Sequence, residues 1–379
     1  MEKGTAQLMG VAAMSVHGVD GTSYPDVDRW FAGCDQALTQ AEDMTPSTCG
    51  HKIVPDYAIM SLPSNVTGNL SVTISEERKR PDSGITAEEI EALLIRSYRK
   101  AQDILSADEE NANLAIIHGS VPTIDLDGRT LIDPLGIQGQ EITLDTSFSI
   151  APTEWIRALE IISERLKLQL TSLVPHYALY AAALLDASSL LILLDHDYSL
   201  VSLVKRGKVV WAKRIDIGER NIIRTTGKRL NLTKHQTDNL MRTYRAAKLQ
   251  EKAELRLAGV FWQELCRWMD TLATQIQKHQ ENGSVPHHVY FLDMSRHIPE
   301  ARSCLETPFW EQSLPFSCCP DITEIKVNMI KDVLDCTAQA SGAPYLLLRA
   351  LAQYVARVYT NENNFDRSLL ENIDWRHVS

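Results

Sequence analysis

The hydrophobic pattern of the chain switches repeatedly between the two-residue period of strands and the period of about 3.6 residues that marks helices. Apolar runs and alternation predict strands at 8–17, 57–62, 70–74, 114–117, 123–126, 141–150, 170–174, 190–194, 200–204, 209–217 and 289–292. Apolar residues at helical spacing predict helices at 24–44, 86–104, 153–168, 175–185, 219–230, 344–359 and over most of 234–279. Strands and helices alternate along most of the chain, which predicts an α/β protein.

The most regular stretch contains three strands in succession, followed by a helix. A continuous apolar run at 190–194 precedes strands at 200–204 and 209–217, and the polar segment 205–208 predicts a hairpin turn between the last two. The helix at 219–230 completes this unit.

A segment with a different order of strands and helices precedes this unit. Two strands, a helix and two further strands within 51–134 predict a small α+β subdomain inserted into the larger frame. Its helix begins with the capping box formed by Thr86 and Glu89.

Several short sequence motifs resemble those of one protein family. The segment 131–142, Leu-Ile-Asp-Pro-Leu-Gly-Ile-Gln-Gly-Gln-Glu-Ile, resembles the "I-x-D-P-x-G-M-x-G-x-x-L" pattern at which FtsA leaves its inserted subdomain. The Glu-rich helix at 85–104, the helix at 35–44 ending in Ala-Glu-Asp-Met, and segments 174–178 and 344–354 are similar to other FtsA segments in the same order. PilM, the actin-like component of type IV pilus assembly, shares this layout. The chain therefore resembles the actin-like proteins of the FtsA and PilM kind.

This resemblance implies a bilobed actin-like (ribonuclease H-like) α/β fold with an FtsA-type inserted α+β subdomain, which is SHS2-like. It also implies the domain boundaries. These are 1–50 for the first part of lobe 1 (without its opening hairpin), 51–134 for the inserted subdomain, 135–186 for the second part of lobe 1, 187–342 for lobe 2, 343–360 for the closing helix of lobe 1 and 361–379 for a polar tail.

Glycine-rich turns hold ATP in the actin-like superfamily, where the nucleotide lies between two domains. Glycine is needed because backbone N–H groups approach phosphate closely only where no Cβ intervenes. The family's first such turn, a hairpin with a "D-x-G-T" pattern, has no counterpart in this sequence. Either the start is truncated or misassigned, or the hairpin has been lost.

The remaining nucleotide turns have family-like residues but lack most of their glycines. Asp195 keeps the position of the Mg²⁺-organising carboxylate, Ser199 replaces a threonine, and Tyr198 occupies the place of a phosphate. Gly218 stands where the family usually has two glycines, and Asp238 keeps the carboxylate of a nucleoside-binding "A-E-x-x-K" helix. The resemblance thus implies a degenerate nucleotide site with no catalytic residue. No cofactor is expected, and binding of ATP and Mg²⁺ is the alternative.

Two other interpretations of the residues 195–197 are open. Asp195, His196 and Asp197 form either a metal or acid–base cluster, or polar residues that terminate a buried strand. Elsewhere the sequence contains no Gly-x-Ser-x-Gly turn and no Cys/His set with zinc spacing, so no metal site is predicted.

Charge and composition narrow the classes of partner. The chain has 38 Lys and Arg against 49 Asp and Glu, a formal charge of −11, which gives no basic footprint for nucleic acid. No apolar stretch approaches the roughly 20 residues of a membrane-spanning helix, and the first residues contain no signal-peptide core. Seven cysteines at irregular spacing indicate a reducing compartment. We expect a cytoplasmic protein.

Two segments predict contacts outside the core. Arg78, Lys79 and Arg80 lie in a charged turn of the inserted subdomain, a part that makes assembly contacts in FtsA and PilM, and they are candidate contact residues. The tail has apolar residues at helical spacing, from Phe365 to Ile373, but few cations. It is predicted as a docking helix or a frayed end rather than a basic membrane anchor, and association with the inner face of the cell membrane stays open.

The function that this resemblance implies is a non-catalytic cytoplasmic scaffold in bacterial cell division. Its partners would be FtsZ-like or other divisome proteins, with self-assembly as a further option. One alternative is a PilM-like component of type IV pilus assembly. Others are an actin-like ATPase whose phosphate hairpin is missing from this chain, or a sensor that binds nucleotide without cleaving it.

Overall fold

The structure is a computed structural model that describes residues 4–16, 26–184, 186, 188–279, 283–294, 298, 300–359 and 365–373. The chain divides into two compact units. The first comprises Met1–Leu185, Val204–Trp211 and Lys326–Ser379, and the second comprises Asp186–Leu203 and Ala212–Ile325.

Strands and helices are distributed over the whole described chain. The strands are β1 (Ala6–Leu8), β2 (Tyr57–Leu62), β3 (Gly68–Glu77), β4 (Leu114–Leu126), β5 (Arg129–Leu131), β6 (Glu141–Pro152), β7 (Gln169–Pro175), β8 (Ser189–Leu194), β9 (Ser199–Lys205), β10 (Lys208–Ile215), β11 (His288–Asp293), β12 (Asp321–Glu324) and β13 (Val333–Asp335). The helices are α1 (Val27–Cys49), α2 (Ala87–Ser106), α3 (Thr153–Arg165), α4 (His176–Ala181), α5 (Glu219–Arg229), α6 (Lys234–Arg245), α7 (Glu251–His279), α8 (Glu300–Leu305), α9 (Pro308–Ser313), α10 (Leu346–Tyr359) and α11 (Phe365–Asn372).

The first unit is built around a four-stranded sheet of order β3-β6-β4-β5, with antiparallel neighbours. Helix α2 packs on this sheet through fully buried Ile90, Leu93 and Leu94, which join the core cluster that includes Phe148 of β6. As predicted, Thr86 caps the helix, and its Oγ1 accepts a hydrogen bond from the backbone N–H of Glu89. The sheet continues past residue 134, because β6 is one of its inner strands.

The two short strands predicted at 114–117 and 123–126 are wrong as separate elements, since β4 is one strand. Its register with β6 shifts twice, between Ile116 and His118 and between Ser120 and Thr123. Pro122 lies in the second irregularity, where a residue without a backbone N–H is tolerated. These bulges explain the break in the apolar pattern without a break in the strand.

Two further predictions near the start of the chain need correction. The strand predicted at 8–17 is wrong in its extent, because β1 spans Ala6–Leu8 and overlaps the predicted range only at Leu8. Strand β1 pairs in parallel with β13, and residue 17 lies outside the described residues. Helix α1 continues beyond residue 44 to Cys49, where Gly50, at φ 85°, ends it with a left-handed cap. Trp30 of α1 meets Trp155 of α3 edge-on, with ring centroids 5.4 Å apart.

The tail helix α11 docks onto the first unit, as one of the two predicted alternatives requires. Leu369 and Ile373 are buried in the main core cluster. Gly119 of β4 admits them, because a Cβ at that position would lie 2.8 Å from Leu369 Cδ2 and 3.1 Å from Ile373 Cδ1. The carboxylate of Asp366 accepts the Val121 N–H at 2.7 Å and pairs with Lys208 Nζ at 2.9 Å. Within the described ranges, no helix combines the length and the apolar character that a bilayer crossing requires.

Beside α11, His118 is buried at 4% exposure and shares a hydrogen bond of 2.9 Å with the Tyr354 hydroxyl. Burial lowers the pKa of His118 from 6.5 to about 4, although the nearby Asp366 carboxylate acts in the opposite direction. The unfolded state therefore binds more protons than the folded state between those two values. The contribution of His118 to the free energy of unfolding is fully present above pH 6.5 and is lost as the pH is lowered toward the folded pKa.

We expect His118 to destabilise the fold by about 2 kcal/mol at pH 5 relative to pH 7.5. The measurement is urea unfolding of the wild type and of His118→Gln at both pH values. The stability advantage of the wild type should shrink by this amount at the lower pH, while other buried groups such as His176 affect both proteins equally. An advantage that does not change with pH would contradict a neutral buried imidazole.

The second unit contains the predicted succession of strands followed by a helix. The five-stranded sheet has the order β10-β9-β8-β11-β12, and β11 is parallel to both of its neighbours. Arg206 and Gly207 join β9 to β10 with φ values of 50° and 80°, the conformation of a tight hairpin turn. That hairpin end, Val204–Trp211, belongs to the first unit. Trp268 of α7 is fully buried against Phe291 of β11.

Candidate functional site

The turn between β8 and β9 is the place where the sequence predicts the remains of a nucleotide site. Residues 195–198 form this turn, and the Asp195 N–H donates to the Tyr198 carbonyl oxygen at 2.9 Å. Tyr198 is buried at 6% exposure, and the Arg214 guanidinium of β10 lies over its ring, 5.6 Å from the ring centroid. A turn closed in this way presents a bulky side chain where a glycine turn would present bare backbone.

The N-terminus of α5 packs directly against this turn. The N–H groups of Glu219 and Arg220 donate to the carbonyl oxygens of Asp195 and His196 at 2.9 and 2.8 Å. These are two of the N–H groups that a helix start leaves unpaired and that bind phosphate in other proteins. Here the turn itself satisfies them, so they are not available to an anion.

Gly218 has a structural reason to be glycine. A Cβ at this position would lie 2.3 Å from the Tyr198 nitrogen and 2.5 Å from the Asp197 carbonyl carbon. Both atoms belong to the backbone and cannot move independently of the turn. The glycine therefore permits close packing of α5 against the turn, which accounts for its presence without a nucleotide.

A carboxylate occupies the start of α5. Glu219 is 2% exposed, and its two oxygens bind Arg245 Nη2 at 2.6 Å and His196 Nδ1 at 2.8 Å. The hydrogen bond that the Glu219 carboxylate accepts from His196 raises the pKa of the imidazole, with burial acting in the opposite direction. A negative side chain at a helix N-terminus compensates the positive end of the helix dipole. No local sequence pattern indicates this cluster, because its members come from three separate segments.

Ser199 is fully buried, and its hydroxyl both donates and accepts a hydrogen bond within the protein. Its Oγ donates to the Ile217 carbonyl oxygen at 2.6 Å and accepts from Trp268 Nε1 at 2.8 Å. The carboxylate of Asp195 accepts the N–H of His196 at 2.7 Å. The structure thus brings Asp195, Ser199 and Gly218 together, but as parts of the packing between a hairpin and a helix.

Asp238 lies apart from this packing. It is exposed on α6 and lines a cavity of about 620 Å³ that also includes Asp197 and Arg220. None of the other three predicted nucleotide residues lines that cavity.

The residues of this turn do not fit Mg-ATP. The N–H groups at the start of α5 are hydrogen-bonded to the turn, and the hydroxyl of Ser199 donates to the Ile217 carbonyl oxygen. The carboxylate of Glu219 lies at the helix start, where a phosphate would need positive potential. The alternative of a metal or acid–base cluster has no better support, because His196 is held by Glu219 and Asp197 by Arg220. In the part of the chain that the structure describes, no group of three His, Cys, Asp or Glu residues could hold a metal ion.

The three predicted assembly residues differ in exposure. Arg78 is 5% exposed, and its guanidinium forms two hydrogen bonds with the Glu89 carboxylate and a third with the Gly139 carbonyl oxygen. Its side chain is therefore not free to meet a partner. Lys79 and Arg80 are exposed between β3 and α2.

Comparison with solved structures identifies the class of fold. Neither a protein-family model nor a curated protein sequence matches the chain. The structure of a PilM–PilN type IV pilus biogenesis complex matches with a TM-score of 0.57 over 90% of this chain and 89% of that chain, at 10% identity. The chain has the α/β fold of the actin-like ATPases, and it resembles PilM over nearly its whole length.

Two other similarities extend over about half of the chain. The ethanolamine utilization protein EutJ from Carboxydothermus hydrogenoformans matches 50% of this chain and 60% of its own, with 10% identity and a TM-score of 0.32. Component A of (R)-2-hydroxyglutaryl-CoA dehydratase from Acidaminococcus fermentans matches 53% of this chain and 72% of its own, with 11% identity and a TM-score of 0.29.

Proposed function

We propose that this protein is a PilM-like binding subunit, which holds a partner protein of a type IV pilus machinery without hydrolysing ATP. The observation that carries the proposal is the match to a PilM–PilN complex over 90% of the chain. That protein is found bound to another protein of pilus biogenesis, and the shared layout supports the same kind of role here.

The packing around the turn at 195–198 supports the non-catalytic part of the proposal. A protein that positions ATP for hydrolysis needs free backbone donors at the phosphates and a carboxylate that can organise Mg²⁺. In this chain the donors at the start of α5 are paired with the turn, and Glu219 stands among them. Partner binding does not need these groups.

A second candidate is the FtsA-type scaffold of cell division. Two observations favour this second role: the FtsA-like motif at 131–142 and the α+β arrangement of β3, α2, β4 and β6. An SHS2-like insert with this order of elements is the part that FtsA uses for assembly. Under either role, we propose exposed Lys79 and Arg80 as contact residues. The similarity to PilM over 90% of the chain favours the pilus role over the division role.

Calorimetric titration with a PilN protein from the same organism tests the proposal, with FtsZ from that organism as the comparison. We expect PilN to bind with a Kd in the micromolar range, about −8 kcal/mol, with and without Mg-ATP. The double variant Lys79→Glu/Arg80→Glu should weaken binding, whereas reversal of exposed Lys278 in the other unit should not. Binding of FtsZ alone would select the division role, and binding of neither protein would refute both.

A further inference from the structure

A basic cleft lies between α5 and α6 in the second unit, on the surface that contains Asp238. It encloses about 620 Å³. Eight of the ten residues that line it are charged or polar, and they include Arg220, Arg224, Lys228, Lys234, Thr237 and Asp238. We call this the α5–α6 cleft.

The cations are arranged regularly along α5. Arg220, Arg224 and Lys228 follow each other at intervals of four residues, which places them on one face of the helix. Lys234 begins α6, where a capping box between Thr233 and Gln236 fixes the helix start. Like charges four residues apart repel, and a cation in the first turn of a helix opposes the helix dipole. The arrangement therefore reduces the stability of the isolated protein.

Only part of this positive charge is neutralised within the chain. Asp197 pairs with Arg220 Nη1 at 2.8 Å. Among the described residues, no carboxylate lies within ion-pair distance of Arg224, Lys228 or Lys234. Asp238 contributes one carboxylate to the wall, so the cleft keeps a net positive charge although the whole chain has a formal charge of −11.

We propose that the α5–α6 cleft binds an acidic segment of a partner protein. The free cations are spread over two helices, so they match several carboxylates along a peptide better than they match a single compact anion. The side chain of Thr233 accepts the N–H of Gln236, which removes one of the backbone donors that a phosphate would use at the start of α6.

Nucleic acid fits this cleft less well than an acidic peptide. None of its described wall residues is aromatic, so the cleft offers no ring on which a base could stack. The negative charge of the chain as a whole also repels a long polyanion. The inference goes beyond the proposed pilus role, because it concerns the chemistry of a contact and holds for any partner with such a segment.

The experiment measures fluorescence anisotropy of a labelled hexaglutamate peptide at low ionic strength. The test variant is Arg224→Glu/Lys228→Glu. The matched control is Lys252→Glu/Arg256→Glu, which reverses two exposed cations with the same four-residue spacing on α7 and changes the net charge equally. Circular dichroism establishes that both variants are folded.

We expect the wild type and the control to bind the peptide with a Kd of about 0.1–1 mM, and the cleft variant to bind at least about tenfold more weakly. Added salt at about 0.5 M should abolish the binding, since exposed ion pairs are screened. Equal losses in the two variants would overturn the proposal. So would an absence of binding by the wild type, or tighter binding of hexathymidylate or of inorganic phosphate at the same cleft. These outcomes are independent of the PilN titration, which uses a different ligand.

Discussion

Replacement of Trp268 by alanine is expected to lower the free energy of unfolding by about 4 kcal/mol. The indole is fully buried, and its ring meets Phe291 edge-on, with centroids 6.3 Å apart and planes inclined by 64°. Its Nε1 donates to Ser199 Oγ at 2.8 Å, which links α7 to the start of β9. Truncation therefore removes a large apolar surface, leaves a cavity and deletes a donor to a buried hydroxyl.

Urea unfolding followed by far-UV circular dichroism measures this effect. Trp262 provides the matched control, because it belongs to the same helix but is 39% exposed. We expect Trp262→Ala to change stability by less than about 1 kcal/mol. Trp268→Phe separates the ring from the hydrogen bond, since it keeps most of the apolar volume. A loss in Trp268→Ala no larger than that in Trp262→Ala would contradict the described packing.

Replacement of Arg78 by methionine is expected to lower the free energy of unfolding by about 2–3 kcal/mol. The side chain of Arg78 is fully buried, and its Nε and Nη2 bind the Glu89 carboxylate at 2.8 and 3.0 Å. This guanidinium holds the pKa of Glu89 below its ordinary value. Removal leaves the Gly139 carbonyl oxygen and the carboxylate without their donor. Because Glu89 keeps 27% exposure, water compensates part of the loss, and the effect stays below that of a fully buried pair.

Methionine substitutions of the neighbours Lys79 and Arg80 are the controls, since both side chains are exposed. We expect changes within about 0.5 kcal/mol for each. A cycle with Glu89→Gln gives the coupling energy between the two partners directly. If Arg78→Met unfolds like the wild type but fails to bind a partner protein, the contact role predicted from sequence is correct and the structural role is wrong.

The fold was accessible from sequence wherever local pattern and tertiary packing agree. The run 190–194 is apolar without interruption because β8 is an inner strand with every residue buried. Helix α2 begins after its predicted cap, Thr86, because the side chain of this residue accepts a hydrogen bond from the backbone N–H of Glu89. The pattern failed at 118–122, where bulges and the docking of α11 introduce polar residues into a continuous strand. Contacts with a helix hundreds of residues away leave no local signal.

The predicted site residues were found by resemblance, and their roles depend on distant partners. Ser199 and Trp268 are separated by 69 residues, so no local pattern indicates that the hydroxyl is already used. Arg78 belongs to a charged run that is typical of a solvated turn, yet it pairs with Glu89 inside the unit. The spacing of Arg220, Arg224 and Lys228 was visible in the sequence as a four-residue repeat of cations. Only the structure shows that it borders a cavity.

We propose that this protein, which has an actin-like fold, acts through protein contacts and does not use ATP. Calorimetric titration of the natural full-length protein with ATP in the presence of Mg²⁺ tests it most directly. The packing of α5 against the turn at 195–198 predicts no heat of binding below about 1 mM nucleotide, equivalent to less than about 4 kcal/mol of affinity. A Kd in the micromolar range would contradict the claim. It would mean that nucleotide binds without the donors that the turn has already paired.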